Sequence, residues 1–521
     1  MNLTGQCASS NGTDSGVDAY NEPYRPQIHF SPSVNFMNDP NGMFRHPGNG
    51  LWHLYYQYNP TAPVAGNQHW GHATSEDLWT WTNHPPAISP DKPGDGIFTG
   101  SAVVDVNNSS GFFNASVAPE DRIVAIYTLN NARETQEIAF STDGGYTFTK
   151  YANNPVIDLN TSQFRDPKVH WDVQTSHWVM TVSLPQVYEI LFFSSPDLKS
   201  WTELSRFKVS GLLGFQYECP GLFQVPTVGG PNDGTKTWVL WISINPGAPL
   251  GGSAMQYFFG DWNGTTFTPH DNAARIIDFG KDFYAAQTFF EVGNANTTTA
   301  IGWASNWQYT NDVPTTPWRS TMTVARQLSL RYVRYNPMYS NYVLVQTPIS
   351  TARIEVGSFL NISTPTSESH SIDFAGWDGA VDIQASFLLP GGSGVELRIG
   401  ASGNQVLKIG AAFGDPVTVY VDRRFAGRSW ADGNVFFADR YSGMVMPNKR
   451  DDGSTHFSLH VIVDRSLVEV FANDGEASSV SNVFWDNDAL PEKLDIVLGN
   501  QQVIMESLVV QKLRGTWNCS V

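Results

Sequence analysis

Three short motifs in this chain each combine a carboxylate with a nearby proline. They are Asp39-Pro40-Asn41-Gly42, Arg165-Asp166-Pro167 and Glu218-Cys219-Pro220. Proline lacks a backbone donor and keeps the residue before it out of helical geometry, so each acid stands on a stiff segment. Carboxylates held in this way are suited to act as nucleophiles or as general acids and bases.

Retaining glycoside hydrolysis needs one carboxylate as nucleophile and one carboxylic acid as proton donor. We assign Asp39 as the nucleophile, because it is a short acid on a rigid turn, and Glu218 as the acid/base. Asp166, oriented by Arg165, would hold sugar hydroxyls as the oxocarbenium-like transition state forms. Two other interpretations stay open here: Asp39 accepts backbone hydrogen bonds in a hairpin turn, and Arg165 and Asp166 form a structural ion pair.

The composition narrows the class of protein. The chain has 521 residues, too many for one ordinary domain, and a formal net charge of −18. Nucleic acid and anionic membrane surfaces are therefore poor partners. The sequence has no apolar run of about 18 residues, so we expect no membrane-spanning helix.

The sequence also points to secretion, as an extracellular or cell-wall-associated protein. Sequons for N-linked glycans are frequent, and they occur at Asn2, Asn11, Asn107, Asn108, Asn114, Asn160, Asn263, Asn296, Asn361 and Asn518. The three cysteines are too few for a disulfide scaffold, and their spacing fits no metal site. We expect Cys219 to be a small buried side chain, whereas Cys7 and Cys519 could pair within or between chains.

A short turn motif recurs along the first part of the chain. It is centred on Asp77, Asp143 and Asp197, with a degenerate copy at Asp261, and each copy follows an apolar strand and ends in an aromatic residue. The copies lie 54 to 66 residues apart, the length of roughly four strands with their loops. Room remains for a fifth unit between about 280 and 335, so we predict a five-bladed β-propeller.

The three acids fall near the start of their repeats. If the recurring motif joins the outer strands of a blade, the acids lie on the inner strands, which converge at the propeller axis. This arrangement would bring Asp39, Asp166 and Glu218 into one site.

The whole chain is predicted to be all-β, a five-bladed β-propeller followed by a β-sandwich domain. Residues 1–24 are expected to form a polar N-terminal arm, 25–345 the catalytic propeller, 346–368 a Ser/Thr/Pro-containing linker, and 369–521 the sandwich. Short strands of alternating polarity, as at 417–422 and 459–463, indicate the sandwich.

Candidate substrate-binding residues follow from the same chemistry. Asn38, Gln57 and Ser101 could hydrogen-bond sugar hydroxyls. Trp70, Trp303 and Trp318 could stack on sugar faces, although each tryptophan could equally fill a core.

Six motifs together resemble glycoside hydrolase family 32, which contains invertases, inulinases and fructosyltransferases. They are Phe36-Met37-Asn38-Asp39-Pro40-Asn41-Gly42, Gln57-Tyr58-Asn59-Pro60, Trp70-Gly71-His72-Ala73-Thr74-Ser75, Phe98-Thr99-Gly100-Ser101, Phe164-Arg165-Asp166-Pro167 and Glu218-Cys219-Pro220-Gly221. The likeness covers about residues 25–335 and returns at 463–471 in the C-terminal domain. It is closest to the yeast and fungal β-fructofuranosidases.

The resemblance implies Asp39 as nucleophile, Glu218 as acid/base and Asp166 as stabiliser of the transition state. It implies a propeller with its pocket on the axis, a β-sandwich behind it, and no cofactor or metal. It also implies a homodimer.

The same resemblance suggests further residues. Gln216 and Asn245 would lie toward the leaving group, and Tyr284 would lie near the pocket. Phe36 departs from the family, which usually has tryptophan at this position. Phenylalanine is smaller and lacks the indole donor, so this change is expected to alter how water and acceptor sugars compete.

We therefore predict a secreted, retaining β-fructofuranosidase that hydrolyses sucrose and short fructo-oligosaccharides through a covalent fructosyl-enzyme. At high sucrose concentration it is expected to transfer fructose to sugar acceptors as well. The alternative is a non-catalytic carbohydrate-binding propeller. The intact set of three acids favours the enzyme, since a lectin needs none of them as a set.

Overall fold

The protein is almost entirely β-structure, as predicted. The computed structural model describes residues 20–293, 297–389, 393–450, 452–500 and 502–517. Helical structure in these ranges amounts to one α-helical turn, α1 (Arg428–Ala431), and to 3₁₀ turns at Pro119–Asp121, Pro185–Val187, Gly230–Asn232, Thr351–Arg353, Asn473–Gly475 and Asp486–Asp488. None of the described helices is long and apolar enough to cross a membrane. Cys7 and Cys519 lie outside the described residues.

The first three blades of the propeller are four-stranded antiparallel sheets, each built from consecutive strands. Blade 1 consists of β1 (Asn35–Arg45), β2 (Trp52–Asn59), β3 (His69–Ser75) and β4 (Trp81–Ile88). Blade 2 consists of β5 (Gly96–Val104), β6 (Ile123–Asn130), β7 (Glu134–Ser141) and β8 (Thr149–Lys150). Blade 3 consists of β9 (Arg165–Asp172), β10 (His177–Leu184), β11 (Glu189–Ser195) and β12 (Thr202–Lys208).

The remaining two blades share one sheet and close the ring. Blade 4 consists of β13 (Tyr217–Val228), β14 (Lys236–Ile244), β15 (Ala254–Trp262), β16 (Phe267–Pro269) and β17 (Arg275–Ile276). Blade 5 consists of β18 (Tyr284–Thr288), β19 (Thr298–Trp303), β21 (Arg326–Asn336) and β22 (Tyr339–Pro348). Between β19 and β21, the short strand β20 (Trp318–Arg319) pairs in parallel with β1, and this pairing joins the last blade to the first.

The recurring turn motif joins the third and fourth strands of its blade, as predicted. In blades 1 to 3 the aspartate carboxylates of Asp77, Asp143 and Asp197 accept backbone N–H groups two to four residues further on. In blade 4 the amide oxygen of Asn263 does this instead, accepting from residues 265 and 266. The degenerate copy is therefore centred on Asn263 rather than on Asp261.

The hairpin turn considered for Asp39 is not present. β1 runs without interruption from Asn35 to Arg45, and its pairing with β2 slips twice, between Met37 and Pro40 and between Asn41 and Phe44. Proline has no N–H to pair and Gly42 adopts a φ of +51°, so both residues are accommodated as bulges inside one strand.

The C-terminal domain is a sandwich of two antiparallel sheets around an aliphatic core. One sheet contains β23 (Glu355–Ile362), β25 (Ala380–Leu388), β30 (Asn448–Lys449), β31 (Thr455–Asp464), β32 (Leu467–Ala472), β33 (Ala477–Asn482) and β35 (Ile504–Leu513). The other contains β24 (His370–Asp373), β26 (Gly394–Ala401), β27 (Gln405–Ala412), β28 (Val417–Phe425), β29 (Arg440–Val445) and β34 (Pro491–Leu498).

Two segments that the sequence predicts to be a linker and an arm pack against the folded domains. In the predicted linker 346–368, β23 pairs with β35 at the edge of a sandwich sheet. None of its side chains is fully buried, although Phe359, Leu360 and Ile362 pack against the sandwich core. In the predicted arm 1–24, residues 1–19 lie outside the described part, but Tyr20 stacks on Trp517 at 4.0 Å.

The two domains are joined by buried charged groups. Asp464 of the sandwich accepts the backbone N–H groups of residues 27–29 and pairs with the His29 ring at 2.7 Å. The other ring nitrogen of His29 lies 3.1 Å from Glu469, which also pairs with Arg326 at 2.7 Å. All of these side chains are buried, so the charges are compensated by one another rather than by water.

Because of these His29 contacts, we expect the protein to lose folding stability at alkaline pH. The hydrogen bonds and charges of Asp464 and Glu469 outweigh burial and raise the pKa of His29 to about 9. The folded value exceeds that of an unfolded histidine, about 6.5. The stabilisation, about 3 kcal/mol, is therefore full below pH 6.5 and is lost as the pH rises through 9.

Urea unfolding of the wild type and of His29→Gln between pH 6 and 10 measures this effect. The stability difference between the two proteins should shrink as the pH rises. His177→Gln is the control, because the His177 ring bonds to the carbonyl of Thr175 in its own turn. Parallel curves for the wild type and His29→Gln over the whole range would contradict the prediction.

Candidate active site

The structure brings the three predicted carboxylates together from three different blades. Asp39 lies on β1, Asp166 on β9 and Glu218 on β13, which are the innermost strands of blades 1, 3 and 4. The thiol of Cys219 lies 3.4 Å from Asp39 Oδ2 and 3.6 Å from Asp166 Oδ2. Glu218 is the neighbour of this cysteine, so the acids form one cluster on the axis.

Each inner strand has a bulge where it reaches this cluster. The register of pairing with the second strand of the blade shifts at one place in each inner strand. These places are Met37 to Pro40 in β1, Ile97 to Gly100 in β5, Arg165 to Lys168 in β9, Glu218 to Gly221 in β13, and Tyr284 to Gln287 in β18. Asp166, Cys219 and Ala285 have left-handed backbones, with φ of 68°, 45° and 49°. Non-glycine residues rarely adopt this conformation, so the backbone is strained at these three points of the inner strands.

Asp39 is buried, with 8% of its surface exposed, and is fixed by its neighbours. Thr99 donates its hydroxyl to Asp39 Oδ2 at 2.7 Å, and the Asn38 amide donates to Oδ1 at 3.1 Å. Burial raises the pKa of Asp39, with a further contribution from the charge of Glu218, while these hydrogen bonds oppose the rise. The carboxylate is thereby held in one orientation.

Gly42 allows the inner strand to pass over the aromatic residues of blade 1. A Cβ atom at this position would lie 2.7 Å from the Trp70 ring and 2.8 Å from the Tyr55 ring. Because both rings are fully buried, they cannot move aside without disturbing the core.

Glu218 is contacted differently on its two oxygens. Arg165 donates to Oε1 from Nε at 3.1 Å and from Nη2 at 2.8 Å, and Gln216 Nε2 donates to the same oxygen at 3.1 Å. Tyr284 donates its hydroxyl to Oε2 at 2.5 Å. Burial and the Glu218 charge raise the pKa of Tyr284 well above its usual value, so the phenol keeps its proton.

Asp166 is held by hydrogen bonds to strands of two other blades. The backbone N–H of Cys219 donates to its Oδ2 at 2.9 Å, and its own N–H donates to the Thr128 hydroxyl at 3.2 Å. Burial raises the pKa of Asp166 well above its usual range; Arg165 opposes this rise, while Glu218 and Asp39 add to it. The protonation of Asp166 therefore depends on the charges of its neighbours.

Positive charge is scarce around the cluster. Arg165 donates to Glu218 and not to Asp166, so the ion pair considered from sequence forms with a different acid. Lys168, on the same strand, turns away and donates to the carbonyl of Thr288 at 2.5 Å, and burial lowers its pKa to about 7. Among the residues described, no group of three or more His, Cys, Asp or Glu side chains could hold a metal ion.

Several of the residues predicted to bind substrate do contact the acids. Asn38 bonds to Asp39, and Arg165, Gln216 and Tyr284 bond to Glu218. Two others lie one contact further away. The N–H of Asn245 donates to the carbonyl of Gln216 at 3.4 Å, and Trp303 packs edge-on against Tyr284 with ring centroids 6.3 Å apart.

Other predicted residues are buried parts of the framework. Gln57 donates to the carbonyl of Ile97 and Trp70 to that of Phe98, so both join blade 1 to blade 2. Ser101 accepts the N–H of Val169 and joins blades 2 and 3.

Trp318 is 2% exposed and packs beneath the Arg25 guanidinium at 4.4 Å. Trp303 is buried as well. None of the three candidate tryptophans, Trp70, Trp303 and Trp318, presents an open face for stacking on a sugar.

Phe36 is also buried, with 1% exposure. Its ring centroid lies 6.3 Å from that of Trp307. Any effect of Phe36 on acceptor sugars therefore has to pass through this packing.

Three further residues that sequence alone does not identify belong to the site. Thr99 lies in the Phe98–Ser101 motif, and the bulge between Ile97 and Gly100 turns Thr99 toward Asp39. Cys219 is buried as expected, and it also links two acids. Glu134 has no neighbouring proline to mark it in the sequence, yet its carboxylate contacts Arg165.

Comparison with known proteins gives consistent matches along the chain. Residues 29–348 match the model of the glycosyl hydrolases family 32 N-terminal domain, and residues 358–510 match the family 32 C-terminal model. An invertase of Schizosaccharomyces pombe is 42% identical over 96% of this chain and 87% of its own length. An extracellular exo-inulinase of Meyerozyma guilliermondii is 43% identical over 95% of this chain and 97% of its own.

A solved structure extends the match to three dimensions. The β-fructofuranosidase of Schwanniomyces occidentalis, complexed with fructosyl-erythritol, superposes with a TM-score of 0.89 at 41% identity. The alignment covers 96% of this chain and all of that one.

Proposed function

We propose that this chain, which belongs to glycosyl hydrolase family 32, is a retaining β-fructofuranosidase acting on sucrose and short fructans. The family makes it a glycoside hydrolase. Relatives named invertase and exo-inulinase, and a related structure holding fructosyl-erythritol, support a fructosyl substrate. The observation that carries the proposal is the convergence of Asp39, Asp166 and Glu218 from three inner strands around one thiol.

In the first step, Asp39 attacks C2 of the fructosyl unit while the bond from C2 to the glucosyl oxygen breaks. Glu218 gives its proton to that oxygen, so glucose leaves neutral and the fructosyl unit is bound to Asp39 as an ester. The bonds from Thr99 and Asn38 aim the attacking carboxylate.

In the second step, Glu218 takes a proton from water, and the resulting nucleophile attacks C2. The ester bond breaks, fructose leaves with its original configuration, and both acids return to their starting states. Gln216 and Arg165 hold Oε1 of Glu218 throughout, so Oε2 and the Tyr284 hydroxyl face the proton transfer.

Asp166 acts as the stabiliser in this scheme. Its carboxylate accepts from the Cys219 N–H, and its remaining lone pairs can accept from fructosyl hydroxyls. Such bonds contribute to the rate when they strengthen as positive charge develops on the ring. Asn38, Gln216 and Asn245 act as substrate-binding groups, with Gln216 and Asn245 on the leaving-group side.

Product analysis at rising sucrose concentration tests the function. Hydrolysis gives equal amounts of glucose and fructose, whereas an acceptor sugar that replaces water gives a trisaccharide and free glucose in excess over fructose. We expect the trisaccharide fraction to increase with sucrose, because the ester on Asp39 is open to either nucleophile. Absence of glucose release would refute the function; equimolar glucose and fructose at all concentrations would refute transfer alone.

We also propose a secreted, N-glycosylated homodimer. The name of the extracellular relative supports secretion, and the sequons at Asn107, Asn114, Asn160, Asn263 and Asn361 are exposed. Asn108 differs, because both ends of its amide bond to the backbone of Phe113. Light scattering after enzymatic removal of glycans should give twice the chain mass, and a monomer mass would refute the dimer.

A further inference from the structure

A second buried glutamate shares the guanidinium that contacts the proton donor. Arg165 Nη1 lies 3.2 Å from both carboxylate oxygens of Glu134, while Nε and Nη2 of the same side chain bond to Glu218. The Glu134 side chain is 4% exposed and that of Arg165 is 9% exposed. Water therefore screens little of the interaction among these three groups.

Glu134 is itself held in place. It begins β7 of blade 2, and the backbone N–H of Phe164 donates to its Oε2 at 2.5 Å. The contacts thus form a chain from blade 2 through Arg165 of blade 3 to Glu218 of blade 4. The Gln163 amide oxygen accepts from the same Nη1 at 3.0 Å, which fixes the guanidinium plane.

This arrangement bears on the protonation of Glu218. A guanidinium paired with Glu218 alone would favour its anion, which cannot donate the proton that the first step needs. Glu134 draws on the same cation and adds negative charge, and both effects favour the protonated acid. The arrangement also confines Arg165 to Oε1, leaving Oε2 to Tyr284.

We propose that Glu134 is a positioning residue that acts through Arg165 to orient Glu218 and to extend its proton-donating range to higher pH. The inference rests on the proposed function of Glu218 as acid/base.

Other titratable groups face Glu218 from the strands packed around it. Burial raises the pKa of Glu134, and the charge of Arg165 opposes that rise. The groups that face the acid are Asp39 on β1, Glu134 on β7, Arg165 and Asp166 on β9, Cys219 on β13 and Tyr284 on β18.

The test is Glu134→Gln, which keeps the shape and the acceptor for the Phe164 N–H but removes the charge. The alkaline limb of the kcat/KM profile for sucrose should move to lower pH by about one unit, which corresponds to about a tenfold loss on that limb. Hydrolysis of p-nitrophenyl β-fructofuranoside should change little, because nitrophenolate leaves without a proton.

Glu137→Gln is the matched control. Glu137 lies on the same strand and is partly buried, but it bonds to Tyr127 and contacts no part of Arg165. This variant should keep the wild-type profile with both substrates. Glu134→Asp keeps the negative charge but moves it away from Arg165, because its side chain is one methylene shorter. It should shift the sucrose profile less than Glu134→Gln does, and it replaces the amide variant in the test if that variant does not fold.

A folded Glu134→Gln protein with an unchanged profile and an unchanged ratio of the two substrates would overturn the inference. Equal loss on both substrates at all pH values would also overturn it, since that result indicates a structural role only. A wild-type protein that does not cleave sucrose would instead refute the proposed function, so the two failures are distinguishable.

Discussion

Replacing Glu218 by alanine is expected to lower kcat for sucrose by about 10²- to 10⁴-fold with the fold intact. Glucose is a poor leaving group, and the variant has no acid to protonate its oxygen. Cleavage of p-nitrophenyl β-fructofuranoside should be affected far less in its first step. Stopped assays with both substrates, together with circular dichroism, measure this difference.

Azide provides a further check on the same variant. It needs no general base, so it should attack the fructosyl ester on Asp39 and partly restore turnover of the aryl substrate. Glu189→Ala is the control, because Glu189 on β11 pairs with Arg206 and Lys208 on β12 of blade 3, and this variant should keep wild-type activity. Near-full sucrose turnover by Glu218→Ala would remove Glu218 from the mechanism.

Replacing Asp39 by asparagine is expected to cause the larger loss, on the order of 10⁴- to 10⁶-fold in kcat. Asparagine fills the same space and can accept the Thr99 hydrogen bond, but it cannot form the ester. In contrast to the Glu218 variant, both sucrose and the aryl substrate should lose activity, and azide should not restore it. An Asp39→Asn protein that cleaves the aryl substrate at a rate close to that of the wild type would contradict the assignment.

The fold was predictable because its signals repeat. The aspartate turns at residues 77, 143 and 197 make the same local hydrogen bonds in three blades, so one recognised turn predicts the others. Their spacing then gives the size of a blade. The strand β23 is not evident from sequence, because this edge strand has no fully buried residue and Gly357 and Ser358 interrupt its apolar pattern.

The three acids were predictable from local sequence, whereas Gln216 and Tyr284 were predictable only from the family resemblance. Asp39 and Asp166 precede prolines, and Glu218 lies two residues before one, so local sequence identifies all three. Whether Ser101 or Thr99 faces the axis depends on a bulge between Ile97 and Gly100, and this bulge has no clear signal in the sequence. Glu134 becomes relevant only through contacts between three blades, which sequence alone does not contain.

The structure explains why the resemblance to family 32 includes residues 463–471 of the C-terminal domain. Asp464 and Glu469 of that segment bind residues 27–29, which precede β1, and Arg326 of the propeller. The segment is thus an attachment of the sandwich to the catalytic domain, and it contributes no group to the acid cluster described above.

The most direct test of the account is to map the covalent intermediate. Glu218→Ala, incubated with p-nitrophenyl β-fructofuranoside, should accumulate the ester because formation outpaces hydrolysis when the base is missing. Mass spectrometry of a rapid acid digest should show one fructosyl unit on the peptide that contains Asp39. An adduct on a peptide without Asp39, or the absence of any adduct while nitrophenol is released, would contradict the central claim that Asp39 is the nucleophile.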